Sequence, residues 1–165
     1  MGFVPRFVLA GLIAAVLPGL AHAAEADARW GLYGRLAAGG AWVHSLSTGG
    51  RAVARYTWVR PGEELRAEHR LEGTPLVTVE TITPGAEAGT LAISTQENDQ
   101  AGPSRSVVTL NPDGSAVELF VASNGVHGRA TYSLDGAGAY HAHTEAEVDG
   151  VWREVYSSEG ARLRD

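Results

Sequence analysis

Turn-forming residues divide the chain beyond residue 60 into short segments of similar length, and this rhythm restricts the fold more than any other feature. Nine turn signals recur there at intervals of about 11 to 15 residues. The segments between them are rich in Val, Thr and Tyr and alternate with charged residues, as short antiparallel strands do. The turn signals are Pro61-Gly62, Glu72-Gly73, Pro84-Gly85, the stretch 98–103, Asn111–Gly114, Asn124-Gly125, Asp135-Gly136, Asp149-Gly150 and Gly160.

The segments predict an all-β fold. None has the continuous apolar run of a buried parallel strand, and no crossover helix separates them. We therefore predict an antiparallel up-and-down meander barrel of about ten short strands, with a β-sandwich as the alternative because both use the same alternation. A short N-terminal helix is predicted over 25–38, ending at Gly39-Gly40. The predicted strands are 41–47, 51–60, 64–71, 76–83, 89–96, 104–111, 116–123, 126–134, 139–148 and 151–158.

The first 23 residues have the pattern of a secretory signal peptide. Arg6 is the only charged residue among the first 24, an apolar run follows over 7–16, and Ala21-His22-Ala23 matches the motif that precedes cleavage. The apolar run is shorter than the roughly 20 residues that span a bilayer, which disfavours stable membrane insertion after cleavage. We therefore predict a signal peptide over 1–23, a single domain over 24–165, and a periplasmic or secreted bacterial protein.

The residue types that are missing exclude several kinds of chemistry. The chain has no cysteine, which removes thiol catalysis, thiolate metal sites and disulfides. All 13 basic residues are arginine, so no lysine amine is present to form a Schiff base. A net charge of −6 argues against nucleic acid and anionic membrane surfaces as partners. No G-x-S-x-G, H-E-x-x-H or phosphate-binding glycine loop occurs, and we predict no cofactor.

Alternation within the strands separates a predicted inside from a predicted outside. In the segment 64–71, Leu65, Ala67 and His69 share one face, and the opposite face carries Glu and Arg, which belong in solvent. Ten strands enclose a wider lumen than eight, and many inward positions are small. We therefore expect a mixed apolar and aromatic cavity; the alternative is a solid core of alternating small and large side chains. The small inward positions are Ala67, Gly128, Ala130, Ala142, Thr144 and Ala146.

The stretch Tyr56–Gly62 (YTWVRPG) follows a short helix with Trp30 and a Gly- and Ala-rich start to the first strand, and it precedes the long meander. In this order of features the chain resembles the lipocalin-like, or calycin-type, small exported bacterial barrels, including fatty-acid-binding-protein-like domains. The resemblance covers most of 29–159 and implies a barrel that binds apolar or amphipathic ligands. The terminal Arg-x-Tyr of fatty-acid-binding proteins is absent, since Arg153 precedes Tyr156 by three residues, and no carboxylate-binding residue is carried over.

Four side chains are predicted to line the cavity and contact the ligand: Tyr56, Trp58, His69 and Tyr132. The aromatic faces supply contact area and His69 supplies a polar group. Tyr140 and Trp152 are further candidates to fill the lumen, and Arg55 or Arg153 is a candidate partner for a ligand carboxylate, although alternation does not decide how these arginines face. Glu80 lies either inside or outside, and we favour the outside.

His141 and His143 are two residues apart on one predicted strand, so both imidazoles lie on the same face, as strand-borne zinc sites require. Glu145 and Glu147 continue this stripe and offer oxygen ligands. The same sequence of side chains is typical of a solvated strand face, which we favour. His141 and His143 are therefore weak metal candidates, and no metal is predicted.

These features favour an exported, non-enzymatic barrel that binds a small apolar or amphipathic molecule. One alternative is an enzyme that uses the same cavity with His69 as acid or base. It is disfavoured because no carboxylate is clearly placed on the face of His69. The other alternative is a module with a solid core that acts only through its surface.

Overall fold

The computed structural model describes residues 18–98, 100, 102–122 and 125–163, with side chains from residue 29 onward. Within them, ten antiparallel strands follow one helix, each strand pairs with its neighbours along the chain, and β1 pairs with β10 to close a barrel. The predicted up-and-down barrel is confirmed, and the sandwich is excluded. The elements are α1 (Pro18–Gly39), β1 (Ala41–Leu46), β2 (Arg51–Arg60), β3 (Glu64–Leu71), β4 (Val77–Pro84), β5 (Thr90–Glu97), β6 (Ser104–Leu110), β7 (Ala116–Val121), β8 (His127–Leu134), β9 (Tyr140–Val148) and β10 (Val151–Arg162).

Strand β10 is longer than predicted because closure of the barrel extends it. The prediction ended this strand at residue 158 and took Gly160 for a turn, whereas residues 158–162 pair with β1. Gly160 lies opposite His44 on one side and Tyr140 on the other. A Cβ at Gly160 would lie 2.7 Å from His44 Nδ1. The glycine therefore makes room for a side chain inside a strand rather than forming a turn.

Helix α1 is longer than the predicted 25–38 and is interrupted. Its backbone leaves the helical region at Gly31, where φ is 49° and ψ is −118°, a conformation that glycine adopts at little cost because it has no Cβ. Residues 1–17 of the predicted signal peptide lie outside the described residues, whereas residues 18–23 belong to α1. Export and cleavage stay predictions.

The part of α1 after the break closes one end of the barrel, which we call the helix end. The β2–β3, β4–β5, β6–β7 and β8–β9 connections lie at this end, and the opposite end is called the far end. Trp30 Nε1 donates a hydrogen bond to the Gly62 carbonyl at 3.1 Å, and Trp42 Nε1 donates to the Leu36 carbonyl at 3.0 Å. Trp30, Leu36 and Trp42 are all buried, and burial of each large apolar side chain contributes about 1.5–3 kcal/mol.

An apolar layer occupies the helix-end half of the barrel. It is formed by inward side chains near the helix-end termini of the strands, of which Leu65, Ile82, Leu91 and Val108 are almost completely buried. Because inward positions are two residues apart, the next inward position on β4 after Ile82 is Glu80. The alternation therefore places a polar layer directly on the apolar one, toward the far end.

Candidate functional site

A small cavity of about 40 Å³ lies where the helix meets the polar layer. One buried water needs roughly 10–15 Å³ of such space, so the cavity holds about three waters or one small polar group. The lumen that the small inward residues led us to expect is mostly filled, because tyrosine rings and helix side chains project into it. The lining residues are Leu32, Tyr33, Leu36, Tyr56, His69, Glu80, Tyr132 and Tyr140.

His69 and Glu80 face each other across neighbouring strands. His69 pairs with Thr78 in the register of β3 and β4, and Glu80 is the next inward residue on β4. His69 Nε2 lies 3.4 Å from Glu80 Oε2, without the alignment of a hydrogen bond, so charge dominates the contact. Burial is the largest single influence and disfavours the imidazolium. The charge of Glu80, its close contact with Nε2 and the charge of Glu118 together outweigh burial and raise the pKa of His69 above its usual range. The two side chains form an acid–base pair at the cavity.

Glu118 on β7 is a second inward carboxylate. Its Oε2 accepts a hydrogen bond from the Tyr132 hydroxyl at 2.5 Å, and its Oε1 accepts one from the Ser106 hydroxyl. Burial, and then repulsion from Glu80, raises the pKa of Glu118. The two hydrogen bonds act in the opposite direction because they favour the ionised form. Glu118 is therefore held in place on one side of the cavity by groups from β6 and β8.

Four tyrosines surround the histidine and the carboxylates: Tyr33, Tyr56, Tyr132 and Tyr140. Burial raises the pKa of all four above the usual tyrosine range, and nearby carboxylates add to the effect. Their hydroxyls therefore stay protonated at physiological pH and are available as hydrogen-bond donors, as the Tyr132 hydroxyl is to Glu118. The ring faces are also suited to contact a cation.

His44 on β1 is buried beside this cluster and carries no charge near neutral pH. Its ring meets the Tyr140 ring edge to face, with centroids 4.8 Å apart. Its Nε2 has no hydrogen-bond partner among the described residues. Burial, with the charge of His69 as a smaller cause, lowers the pKa of His44 to about 4. Two lumen histidines thus have pKa values shifted in opposite directions.

The structure brings three of the four predicted ligand contacts together at one cavity. Tyr56, His69 and Tyr132 line it, whereas Trp58 does not. The Trp58 ring packs edge to face on Trp30, with centroids 4.7 Å apart. Trp58 also pairs with Leu65, so it belongs to the apolar layer at the helix end.

Sequence reasoning placed Glu80 outside, and that interpretation is wrong because Glu80 lines the cavity. Its face is shared with Thr78 and with Ile82, which is fully buried, and Ile82 was the signal that could have revealed it. Glu118 was not singled out, because one carboxylate in the run AVELFV offers no pattern of its own. Tyr33 was missed because it lies in the predicted N-terminal helix, and only strand residues were considered as cavity lining.

Two arginines that were candidate partners for a ligand carboxylate do not reach the cavity. Arg55 and Arg153 are exposed, and neither lines it. The predicted filler Trp152 lies outside the barrel as well, because it pairs with the outward Glu147. The guanidinium carbon of Arg129 lies 4.5 Å from the centre of its ring.

The histidine stripe of β9 lies on the outer face, as favoured from the sequence. His141 Nε2 lies 3.4 Å from Asp135, and His143 Nδ1 lies 3.6 Å from Glu154. Each histidine thus approaches a different carboxylate. Among the described residues, no group of three or more potential ligands converges on a common point.

No protein-family model matches the chain, and no curated protein matches it either. Among the described residues, no helix combines the length and the apolar character needed to cross a membrane.

Proposed function

We propose that the protein binds a small amphipathic molecule and that the cavity of the barrel holds its polar head group. The observation that carries this proposal is the small cavity lined by four tyrosines, His69 and Glu80, with Glu118 behind Tyr132. Ligand sites combine apolar and aromatic walls with a few convergent polar groups. This cavity has that composition inside a closed barrel.

The charges favour a head group that donates hydrogen bonds and is neutral or cationic. Glu80 and Glu118 are both inward acceptors, and only His69 among the lining side chains opposes their charge. An anionic head would meet these carboxylates without an arginine to balance it, because no arginine is among the described lining residues. An ammonium group would gain both the carboxylates and the tyrosine faces.

Size restricts what the cavity holds. Ligand pockets are typically about 300–1,000 Å³, whereas this cavity measures about 40 Å³. It accommodates an ammonium or hydroxyl group with one or two waters, but not a whole drug-sized ligand. The proposal therefore assigns the head group to the cavity and leaves the rest of the ligand elsewhere.

The binding test uses three molecules that share one tail: decylamine, decanol and decanoate. Isothermal titration calorimetry below their micellar concentrations is expected to rank decylamine above decanol and both above decanoate, with at least about a tenfold preference for the amine, or about 1.4 kcal/mol. Glu80→Gln should shrink the preference. Glu63→Gln, at an exposed turn glutamate, should preserve it. Tightest binding of decanoate, or no binding of any of the three, would refute the proposal.

We also propose that the protein acts outside the cytoplasm. The pattern of the first 23 residues and the absence of cysteine support this location. Fractionation of cells that express the full chain, followed by N-terminal sequencing, is expected to yield a periplasmic or secreted product that begins at Ala24. Intact Met1 on a cytoplasmic product would contradict export.

Catalysis at the same cavity is the second candidate, and the His69–Glu80 pair favours it. The sequence had placed no carboxylate clearly beside His69, whereas the structure places Glu80 Oε2 at 3.4 Å. A histidine oriented by a carboxylate is a common general base. Incubation of a small-molecule cell extract with the wild type and with His69→Gln, compared by mass spectrometry, tests it. A conversion seen only with the wild type supports catalysis, and identical extracts exclude it for the molecules present.

A further inference from the structure

The wall of the barrel is incomplete at the far end between β6 and β7. β6 pairs with β5 from Ser104 to Thr109, but with β7 only from Val107 to Leu110. β7 in turn pairs with β8 as far as Val121. The first residues of β6 and the last residues of β7 are thus held by their outer neighbours and not by each other. The strands diverge there and leave a gap.

A groove of about 400 Å³ occupies this gap. Its volume falls in the range typical of ligand pockets, about 300–1,000 Å³, and is ten times that of the cavity. Both faces of the wall contribute to it. Ser106 and Phe120 come from inward positions, and Val107, Leu119 and Val121 from outward ones. The groove therefore reaches from the outer surface into the wall of the lumen.

Apolar residues make up six of the ten residues that line the groove, and the other four are Arg105, Ser106, His127 and Glu147. Val107, Leu119 and Val121 are 51%, 59% and 51% exposed, and they flank the gap together. The ring of Phe120 lies over Gly128, where a Cβ would come within 2.2 Å of the ring. A concentration of exposed apolar side chains next to a concave surface marks a binding site more often than a solvated one.

One carboxylate connects the groove with the head-group cavity. Ser106 lines the groove and donates to Glu118, and Glu118 accepts from Tyr132, which lines the cavity. Along this path the groove and the cavity are connected by the hydrogen-bonded side chains of Ser106, Glu118 and Tyr132. A molecule that lies past Glu118 would have polar contacts on one side and apolar contacts on the other.

We propose that the β6–β7 groove holds the apolar tail of the ligand whose head group occupies the cavity. This inference rests on the proposed binding function and assigns the part of the ligand for which the cavity has no room. The occupant is a molecule with one alkyl chain or small aromatic tail, lying against Val107, Leu119 and Phe120. The gap between the strands is also its route into the barrel.

The test measures the affinity of alkylamines from hexylamine to dodecylamine. Burial of each CH₂ group contributes about 0.8 kcal/mol, so we expect wild-type affinity to rise about fourfold per CH₂ until the tail fills the groove. Leu119→Glu should reduce this rise to less than about twofold. Val59→Glu, a matched change at a valine that is 53% exposed on β2, should leave it unchanged. Val107→Ser provides a second groove variant.

Tryptophan fluorescence supplies an independent readout. Trp152 lines the groove, whereas Trp30, Trp42 and Trp58 belong to the core at the helix end. Decylamine is expected to change the emission of the wild type and not that of Trp152→Phe. The groove assignment would be overturned if affinity still rose with chain length in Leu119→Glu and Val107→Ser. If binding also still responded to Glu80→Gln, the proposed function would stand. Absence of binding to the wild type would overturn both.

Discussion

Acid should destabilise this protein through His44, and the size of the effect follows from its burial. The unfolded chain takes up a proton on this residue near pH 6.5, whereas the folded chain resists it until about pH 4. Between these values the unfolded state binds more protons, so stability falls as the pH falls. At about 1.4 kcal/mol per pH unit, the loss across the window is about 3 kcal/mol.

The replacement His44→Leu removes the titrating group and keeps a side chain of similar bulk against Tyr140. The unfolding free energy of this variant is expected to lie within about 1.5 kcal/mol of the wild type at pH 7. At pH 4 the variant should gain about 3 kcal/mol relative to the wild type. The difference between the two proteins isolates His44, because all other carboxylates and histidines titrate in both.

Urea unfolding followed by tryptophan fluorescence, at steps from pH 7 to pH 4, measures the difference. His127→Gln replaces a histidine exposed on the outer face and should follow the wild-type curve. Direct NMR titration of the His44 ring should give a midpoint near pH 4. Equal pH slopes for the wild type and His44→Leu, or a ring that titrates near pH 6.5, would refute the argument.

Three further predictions concern the backbone, the lumen and the acid–base pair. Gly31→Ala places a side chain at φ 49° and should lower the unfolding free energy by about 1–3 kcal/mol; an unchanged urea midpoint would contradict it. Gly128→Ala forces the Phe120 ring to move and should cost about 1–3 kcal/mol, a cost that vanishes in the Phe120→Ala background if the clash is the cause. Glu80→Gln removes the charge that raises the pKa of His69, so the NMR midpoint of that ring should fall below pH 6.5. The stability that the raised pKa of His69 supplies is complete below about pH 6.5 and is lost as the pH rises through the raised pKa of the folded state. Glu80→Gln should therefore lower the unfolding free energy more at about pH 6 than at about pH 9.

The sequence predicted the strands well because their signals are local. Turn residues and two-residue alternation act over a few positions, so His69 was placed inside and His141 outside correctly. Gly160 was misassigned because a glycine that avoids the His44 ring looks the same in the sequence as a glycine in a turn. Helix α1 was correctly found but its role was not, since a break at Gly31 depends on what the following residues pack against.

The candidate site was predicted in part for the same reason. Tyr56, His69 and Tyr132 follow from alternation alone, whereas Glu80 could point either way until Ile82 was known to be buried. Glu118 comes within hydrogen-bond distance of Tyr132 only through the pairing of β7 with β8. Contacts between strands depend on register, and the sequence of one strand does not contain the register of its neighbour.

By itself, the sequence determined that ten short strands alternate an inside with an outside, because turn chemistry and side-chain direction are properties of neighbouring residues. Only the tertiary structure decided that β10 pairs with β1 to close the barrel and that α1 covers the helix end. It also decided that the pairing of β6 with β7 stops short of the far end. These outcomes depend on curvature and register summed over the whole sheet. As a result, the structure has a small polar cavity beside an apolar groove, where the sequence predicted one wide lumen.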